Sequence, residues 1–223
     1  MQTRTRPRKR WGLPAAALMT AAAISLGGCG SDTTTPDTDA DNVDTTAAPD
    51  SVTWTNYRGV EVPSSTTGGP SANGKVPGGY AHTPQGAVLA AMQGQTRLAL
   101  APDDEWPTVA STVLAFGPGR DAYAIARSMT SITDAADPAQ TAQYAGFRVD
   151  DYSDDHATVS LATRMPGGQL AASPTTLTWK GNDWRITLPD PAANPVGDDG
   201  TTATDPAELN SLDGYTPLSA KEA

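Results

Sequence analysis

A single thiol, two imidazoles and a few tight groups of carboxylates are the side chains of this sequence that could do chemistry. The thiol is Cys29, at the end of Leu26-Gly27-Gly28-Cys29. With no second cysteine in the chain it can form no internal disulfide, and an odd cysteine asks for another role. His82 could serve as a general base, but a base needs a nucleophile or substrate and an orienting partner. The sequence has no Gly-x-Ser-x-Gly elbow and no second histidine near His82, which therefore reads as structural, capping a helix or filling a bend. His156 follows Asp150, Asp151, Asp154 and Asp155, a grouping that could hold a cation. Transition metals want several His or Cys ligands, and the calcium-loop pattern Asp-x-Asp-x-Asp-Gly is missing. The acids read as a turn, where Asp bonds its own backbone. Asp103, Asp104 and Glu105 could be paired carboxylates for sugar hydrolysis, yet neighbours at a helix start rarely face each other across a cleft. They fit the positive end of a helix dipole instead. Trp106, Trp179 and Trp184 are candidates for the wall of a ligand pocket, with core packing as the competing reading. No catalytic residue, metal site or cofactor is assigned.

The elements that must position these residues read as helices followed by strands. Trp54 to Val62 is a short extended stretch stopped by Pro63, and residues 64–79 form a Ser/Gly/Pro loop. In His82-Thr83-Pro84-Gln85-Gly86-Ala87, Thr83 is a good N-cap and Pro84 suits the first helical position. Val88, Ala91, Met92 and Gln95 then share a face with Leu89 beside it, which predicts a helix from about 84 to 95–100. A second helix is expected after Asp103-Asp104-Glu105, running to Gly117-Pro118-Gly119. A third follows from about Arg120, with Ala122, Tyr123, Ala126 and Met129 on or near one face. From Tyr144 the period falls to about two. Turns at Asp154-Asp155, Pro166-Gly167-Gly168 and Gly181-Asn182-Asp183 separate four strands of an antiparallel meander, with Trp179 and Trp184 flanking the last turn. The expected class is α+β, with about three N-terminal helices packed on a four-stranded antiparallel meander.

Composition divides the chain. Residues 54–189 hold most of the aliphatics and every Trp except Trp11, enough for one globular domain. Residues 30–53 carry six Asp and no basic residue, too little apolar surface to offset chain entropy, so 29–53 is expected to be a disordered acidic tether. Residues 190–223 are rich in Pro, Gly, Asp and Thr and are expected to be mostly disordered. Leu209, Leu212, Tyr215 and Leu218 leave open whether that tail docks back.

Residues 1–28 start with Arg4, Arg6, Arg8, Lys9 and Arg10, without an acid, and continue into an apolar segment, Leu13 to Leu26, too short to span a membrane comfortably. Removing them leaves 10 Lys+Arg against 25 Asp+Glu, a formal charge of −15. That balance argues against nucleic acid as a partner and against adhesion to anionic lipid head groups. Leu26-Gly27-Gly28-Cys29 resembles the bacterial lipoprotein signal. The resemblance implies export, cleavage before Cys29 and acylation of its sulfur, palmitate being a typical chain. The protein would sit on the outer face of the cytoplasmic membrane, anchored through the lipid on Cys29. A plain secretory peptide with a stray thiol, or an uncleaved helical anchor, remains the alternative.

Three further pieces carry a second resemblance: Trp54 with Tyr57-Arg58-Gly59-Val60, His82 to Ala91, and Asp183-Trp184-Arg185-Ile186. They look like an uncharacterised family of exported proteins from high-GC Gram-positive bacteria, often encoded among conjugative-transfer genes. More remotely, helices ahead of a meander resemble the cystatin-like, nuclear-transport-factor-like cone fold of subunits in conjugative type IV secretion systems. The resemblance implies a cone fold and a membrane-anchored, non-enzymatic interaction module for a cell-envelope protein partner, accessory to conjugation or secretion. The alternative is a small-ligand-binding lipoprotein that uses the cone interior.

Overall fold

The computed structural model describes residues 43–72, 74–193, 202 and 205–220. The chain divides into two units, Met1–Asp39 and Ala40–Ala223, and all described residues belong to the second. The leader 1–28, Cys29 and the tether as far as residue 42 lie outside the described residues.

The domain begins with a hairpin. Strands β1 (Val52–Tyr57) and β2 (Val60–Ser65) pair antiparallel with Tyr57 opposite Val60. The two turn residues, Arg58 and Gly59, both have positive φ, 51° and 99°, as a two-residue primed turn requires. Gly59 is needed twice over, because a Cβ there would collide with the Ala136 carbonyl oxygen. The expected single stretch ending at Pro63 is therefore two strands, and Pro63 sits within β2 opposite Trp54. A two-stranded sheet tolerates it, since an edge residue can do without its N–H.

Helix α1 (Pro84–Leu100) is the centre of the domain. The Thr83 hydroxyl accepts from Gly86 N at 3.1 Å and Pro84 occupies the first turn, so the helix starts where its cap residues place it. Thirteen of its 17 residues are buried, because it contacts β2 as well as strands of the larger sheet. Burial of Val88, Leu89 and Met92 contributes about 1.5–3 kcal/mol each. Gly94 lets the helix approach: a Cβ there would stand 2.7 Å from Ile186 Cδ1 and 2.9 Å from Val113 Cγ1. Helices α2 (Trp106–Val113) and α3 (Pro118–Ser128) follow. Tyr123 Oη and Arg127 Nη2 of α3 donate to Leu98 O and Ala101 O, at 2.8 and 2.9 Å, and so satisfy carbonyls at the end of α1.

Strands β3 (Gln143–Tyr152), β4 (His156–Arg164), β5 (Leu170–Trp179) and β6 (Trp184–Ile186) run antiparallel in consecutive order. Two short strands complete the sheet: β7 (Ala207–Leu209) pairs with β5, and β8 (Thr216–Pro217) pairs with β3. The C-terminal segment thus docks, and its Leu218 is buried with Leu218 N donating to Ala145 O at 3.2 Å. Residues 43–51 also lie against the domain: Gln85 Nε2 donates to Asp44 O and Ala47 O, and Thr216 Oγ1 to Thr46 O.

The cone expected from the sequence is not what forms. Strands precede the helices, there are two sheets, and the larger one has six strands. The physical reason is that α1 is sandwiched instead of lying on one face of a meander. A helix that buries residues on most of its circumference needs cover on more than one side, and the hairpin supplies it.

Candidate functional site

The conspicuous residues gather at the N-terminal end of α1, and they build a joint. The Asp183 carboxylate accepts from Gly79 N (2.9 Å), Tyr80 N (3.0 Å) and its neighbour Trp184 N (3.0 Å), pinning the loop before α1 to the β5–β6 turn. Trp184 Nε1 donates to Ala81 O at 3.0 Å. The His82 ring stacks on Trp179 at 4.0 Å between centroids with planes 9° apart, and its Nε2 contacts Asp154 O. Trp179 and Trp184 are cross-strand partners with edge-on rings 5.2 Å apart, and Tyr152 closes the cluster 5.9 Å from Trp184. Trp184 and His82 are each spent on packing and on one backbone carbonyl, and Trp179 on packing between them. The cavity beside Trp184 measures only about 10 Å³, roughly the space of one water.

Trp106 is elsewhere. It lies under the Arg127 guanidinium, 5.8 Å from its ring centroid, so the structure pairs Trp179 with Trp184 and leaves Trp106 apart. The acid groups are likewise dispersed. Asp103 accepts from Ser131 Oγ (2.6 Å), Ile132 N (2.9 Å) and Arg127 Nη2 (2.9 Å), contacts that hold its carboxyl down to about 2, with the Ser131 bond as the largest cause. Glu105 is the N-cap residue of α2 and makes no side-chain capping bond, so Asp103 acts as a tie to the 131–132 segment and not as a dipole partner. Asp150 takes Arg148 Nε and Ser160 Oγ, each at 2.5 Å. His156 Nε2 stands 3.7 Å from Asp151 Oδ2 at an exposed position.

Sequence reasoning passed over the polar core beside α1. Arg97 is buried; its Nη1 reaches Gln93 O at 3.3 Å and also Gln93 Oε1, and its guanidinium lies 4.4 Å over the Tyr57 ring. Burial lowers its pKa, with Tyr80 and Tyr57 opposing that trend. Tyr144 Oη bonds Met92 O and Thr96 Oγ1, both at 2.8 Å, and burial pushes it up to about 12. No aliphatic or aromatic period announces such contacts.

The open space lies at the other end of α1. A cleft of about 610 Å³ is lined by Gln95, Ala99 and Leu100 of α1, by Leu161 and Thr175 of the large sheet, and by Leu188. It wraps round the edge of β5 where that strand is unpaired: β6 covers Leu177–Trp179 and β7 covers Leu170–Ala172, leaving Ser173 to Thr175 between them. Pro174, with no N–H to offer a ladder, stands in this gap. Among the described residues, no Asp, Glu, Lys, Arg or His lines the cleft. A second cleft of about 700 Å³ opens between the β1–β2 hairpin and the β3–β4 end, with Trp54, Glu61 and Arg164 among its walls. Gln143 ties these walls: its Oε1 accepts from Glu61 N at 3.0 Å and its Nε2 donates to Gly59 O at 2.9 Å. Neither cleft includes Trp106, Trp179 or Trp184.

Among the described residues no helix is long and apolar enough to cross a membrane. No curated protein and no solved structure matches the chain. The hairpin, the aromatic joint and the α1–sheet cleft all fall within residues 19–217, the span that matches the domain of unknown function DUF8175, and the chain belongs to that family.

Proposed function

We propose that this protein is a non-enzymatic, extracytoplasmic lipoprotein, anchored through acylated Cys29, whose domain binds a small ligand in the cleft between α1 and the large sheet. The observation that carries the reading is that cleft of about 610 Å³. It falls in the range of about 300–1,000 Å³ typical of ligand sites, and it combines apolar walls with a few placed polar groups. The anchor rests on the leader and on Leu26-Gly27-Gly28-Cys29. Two acyl chains bury enough methylenes, at about 0.8 kcal/mol each, to hold an acidic chain at a membrane that its charge would avoid.

A second reading keeps the domain as a docking module for a cell-envelope protein, accessory to conjugation or secretion. Its setting comes from the sequence resemblance alone. One structural observation favours it: Phe116, Ile125 and Met129, at the entrance and on the outer side of α3, are 92%, 64% and 77% exposed. Met129 stays exposed because α3 leans chiefly on α2 and is moored by Tyr123 and Arg127.

The deciding experiment is solvent extraction of the affinity-purified chain from its own cells, followed by mass spectrometry. Ligand binding expects one molecule enriched over the same preparation of Ala99→Leu, a change that narrows the cleft. Identical extracts, with transfer-machine subunits recovered by in-cell cross-linking at Phe116, would replace the first reading by the second. The anchor is checked separately: an alkyne fatty acid should label the wild type and not Cys29→Ser.

A further inference from the structure

We infer that the α1–sheet cleft is built for an uncharged ligand with an apolar body and a hydrogen-bonding head, such as a neutral glycerol ester or long-chain alcohol, and that Thr175 and Gln95 bind the head. The inference rests on the ligand-binding reading above and narrows it to a chemical class.

Thr175 lies on β5 opposite Val159 and is 2% exposed. Its hydroxyl accepts from Gln95 Nε2 at 3.1 Å, and among the described residues its own proton has no acceptor. The Gln95 Oε1 receives no donor there either. A buried hydroxyl ordinarily both donates and accepts. One donor and one acceptor therefore remain unspent side by side on the floor of the cleft. Three nearby hydroxyls are already committed: Thr96 to Met92 O (2.9 Å) and Tyr144 Oη (2.8 Å), Thr187 with Thr178 (2.9 Å), and Thr141 to Asp137 O (2.8 Å); Ser173 and Thr176 also line the cleft but are only half-buried, so Thr175 is the buried hydroxyl with a proton to give.

The remaining wall selects against charge. Leu100, Leu161, Ile186 and Leu188 offer only apolar contact, and among the described residues the cleft has no Asp, Glu, Lys, Arg or His to compensate an ionised head. Such a head would lose its hydration without a counter-charge. The chain's formal charge of −10 further opposes an entering anion. A glycerol ester with a free hydroxyl, or an alcohol, meets neither obstacle, and its hydroxyl oxygen can accept from Thr175 while its proton is donated to Gln95 Oε1.

The test uses the full chain carrying Cys29→Ser, which removes the proposed acyl anchor, with Nile red as the cleft probe. Dye displacement is compared for 1-monolauroylglycerol and laurate at pH 8. The glycerol ester should displace dye at about a tenfold lower concentration than the carboxylate. Thr175→Val should bring the two within about threefold, whereas Thr175→Ser should keep the preference. Gln95→Leu gives a second route to the same loss should Thr175→Val fail to fold. Equal displacement by ester and carboxylate in the wild type would overturn the inference and leave the cleft as a ligand site. Absence of saturable dye binding, or dye binding unchanged by Ala99→Leu, would overturn both.

Discussion

The two ends of α1 make opposite use of their residues. At its N-terminal end, His82, Trp179, Trp184, Tyr152 and Asp183 are the chemically conspicuous residues, and every one is tied into packing or a backbone bond. At its C-terminal end Gln95, Ala99, Leu100 and the threonines of β5 are plain, and they leave a cleft with unspent hydrogen-bonding capacity. A closed joint needs large side chains that fill space, whereas a receptive cleft needs small ones that leave it. Residue types that look functional can thus mark the part of a small domain that holds it shut.

The largest test of this contrast is Trp184→Ala. It removes a buried ring that touches Trp179, His82 and Tyr152 and leaves the Ala81 carbonyl without its donor. A loss of about 3–5 kcal/mol in denaturant unfolding is expected. A loss below about 1 kcal/mol would mean that the joint is not what closes this end.

Gly86→Ala probes the same end from the backbone. The new methyl would run into the Ala81 carbonyl, the same group that accepts from Trp184. Helix propensity alone favours Ala by about 1 kcal/mol. Overpacking against backbone should outweigh that gain and give a net loss of about 1–3 kcal/mol. A stabilised Gly86→Ala protein would show that the loop 78–82 can move away from the helix.

How far the sequence discloses this arrangement depends on the range of the signal. Thr83-Pro84 and Gly181-Asn182-Asp183 are local punctuation, and α1 and the β5–β6 turn stand beside them. The β1–β2 hairpin was hidden because Arg58-Gly59 lacks the Asn-Gly pattern and Pro63 imitates a strand end. Strands β7 and β8 are three and two residues long, too short to show alternation, and they exist only through pairing with β5 and β3. The cleft was illegible for a further reason. It is a gap between Ala207–Leu209 and Trp184–Ile186 along one strand edge, and no residue type signals a gap.

Between the two ends stands Tyr144, which bonds α1 at Met92 O and also lines the cleft. Its folded pKa of about 12 lies above an ordinary value of 10.0, with burial as the largest cause. A raised folded pKa means that its contribution is complete below pH ~10 and is lost as pH rises toward ~12, where the unfolded chain has already released the proton. The alkaline limb of stability should therefore fall by up to about 3 kcal/mol over that window, and Tyr144→Phe should flatten it. Parallel limbs for the two proteins would place the alkaline loss elsewhere.

The smallest expected change is Ala99→Leu. Ala99 is exposed and lines the cleft from the last turns of α1. Leu is nearly as good a helix former as Ala, and the longer side chain points into space that is empty of protein, so no packed neighbour must shift. Unfolding should change by less than about 0.5 kcal/mol, the usual range for a substitution away from the core. Nile red binding should nonetheless fall sharply, because the added carbons occupy the volume that the dye would take. The two ends of α1 are then separated by one pair of measurements: Trp184→Ala costs stability, and Ala99→Leu costs binding alone. Should Ala99→Leu destabilise the domain as Gly86→Ala does, the C-terminal end is as tightly packed as the joint, and the contrast between them collapses.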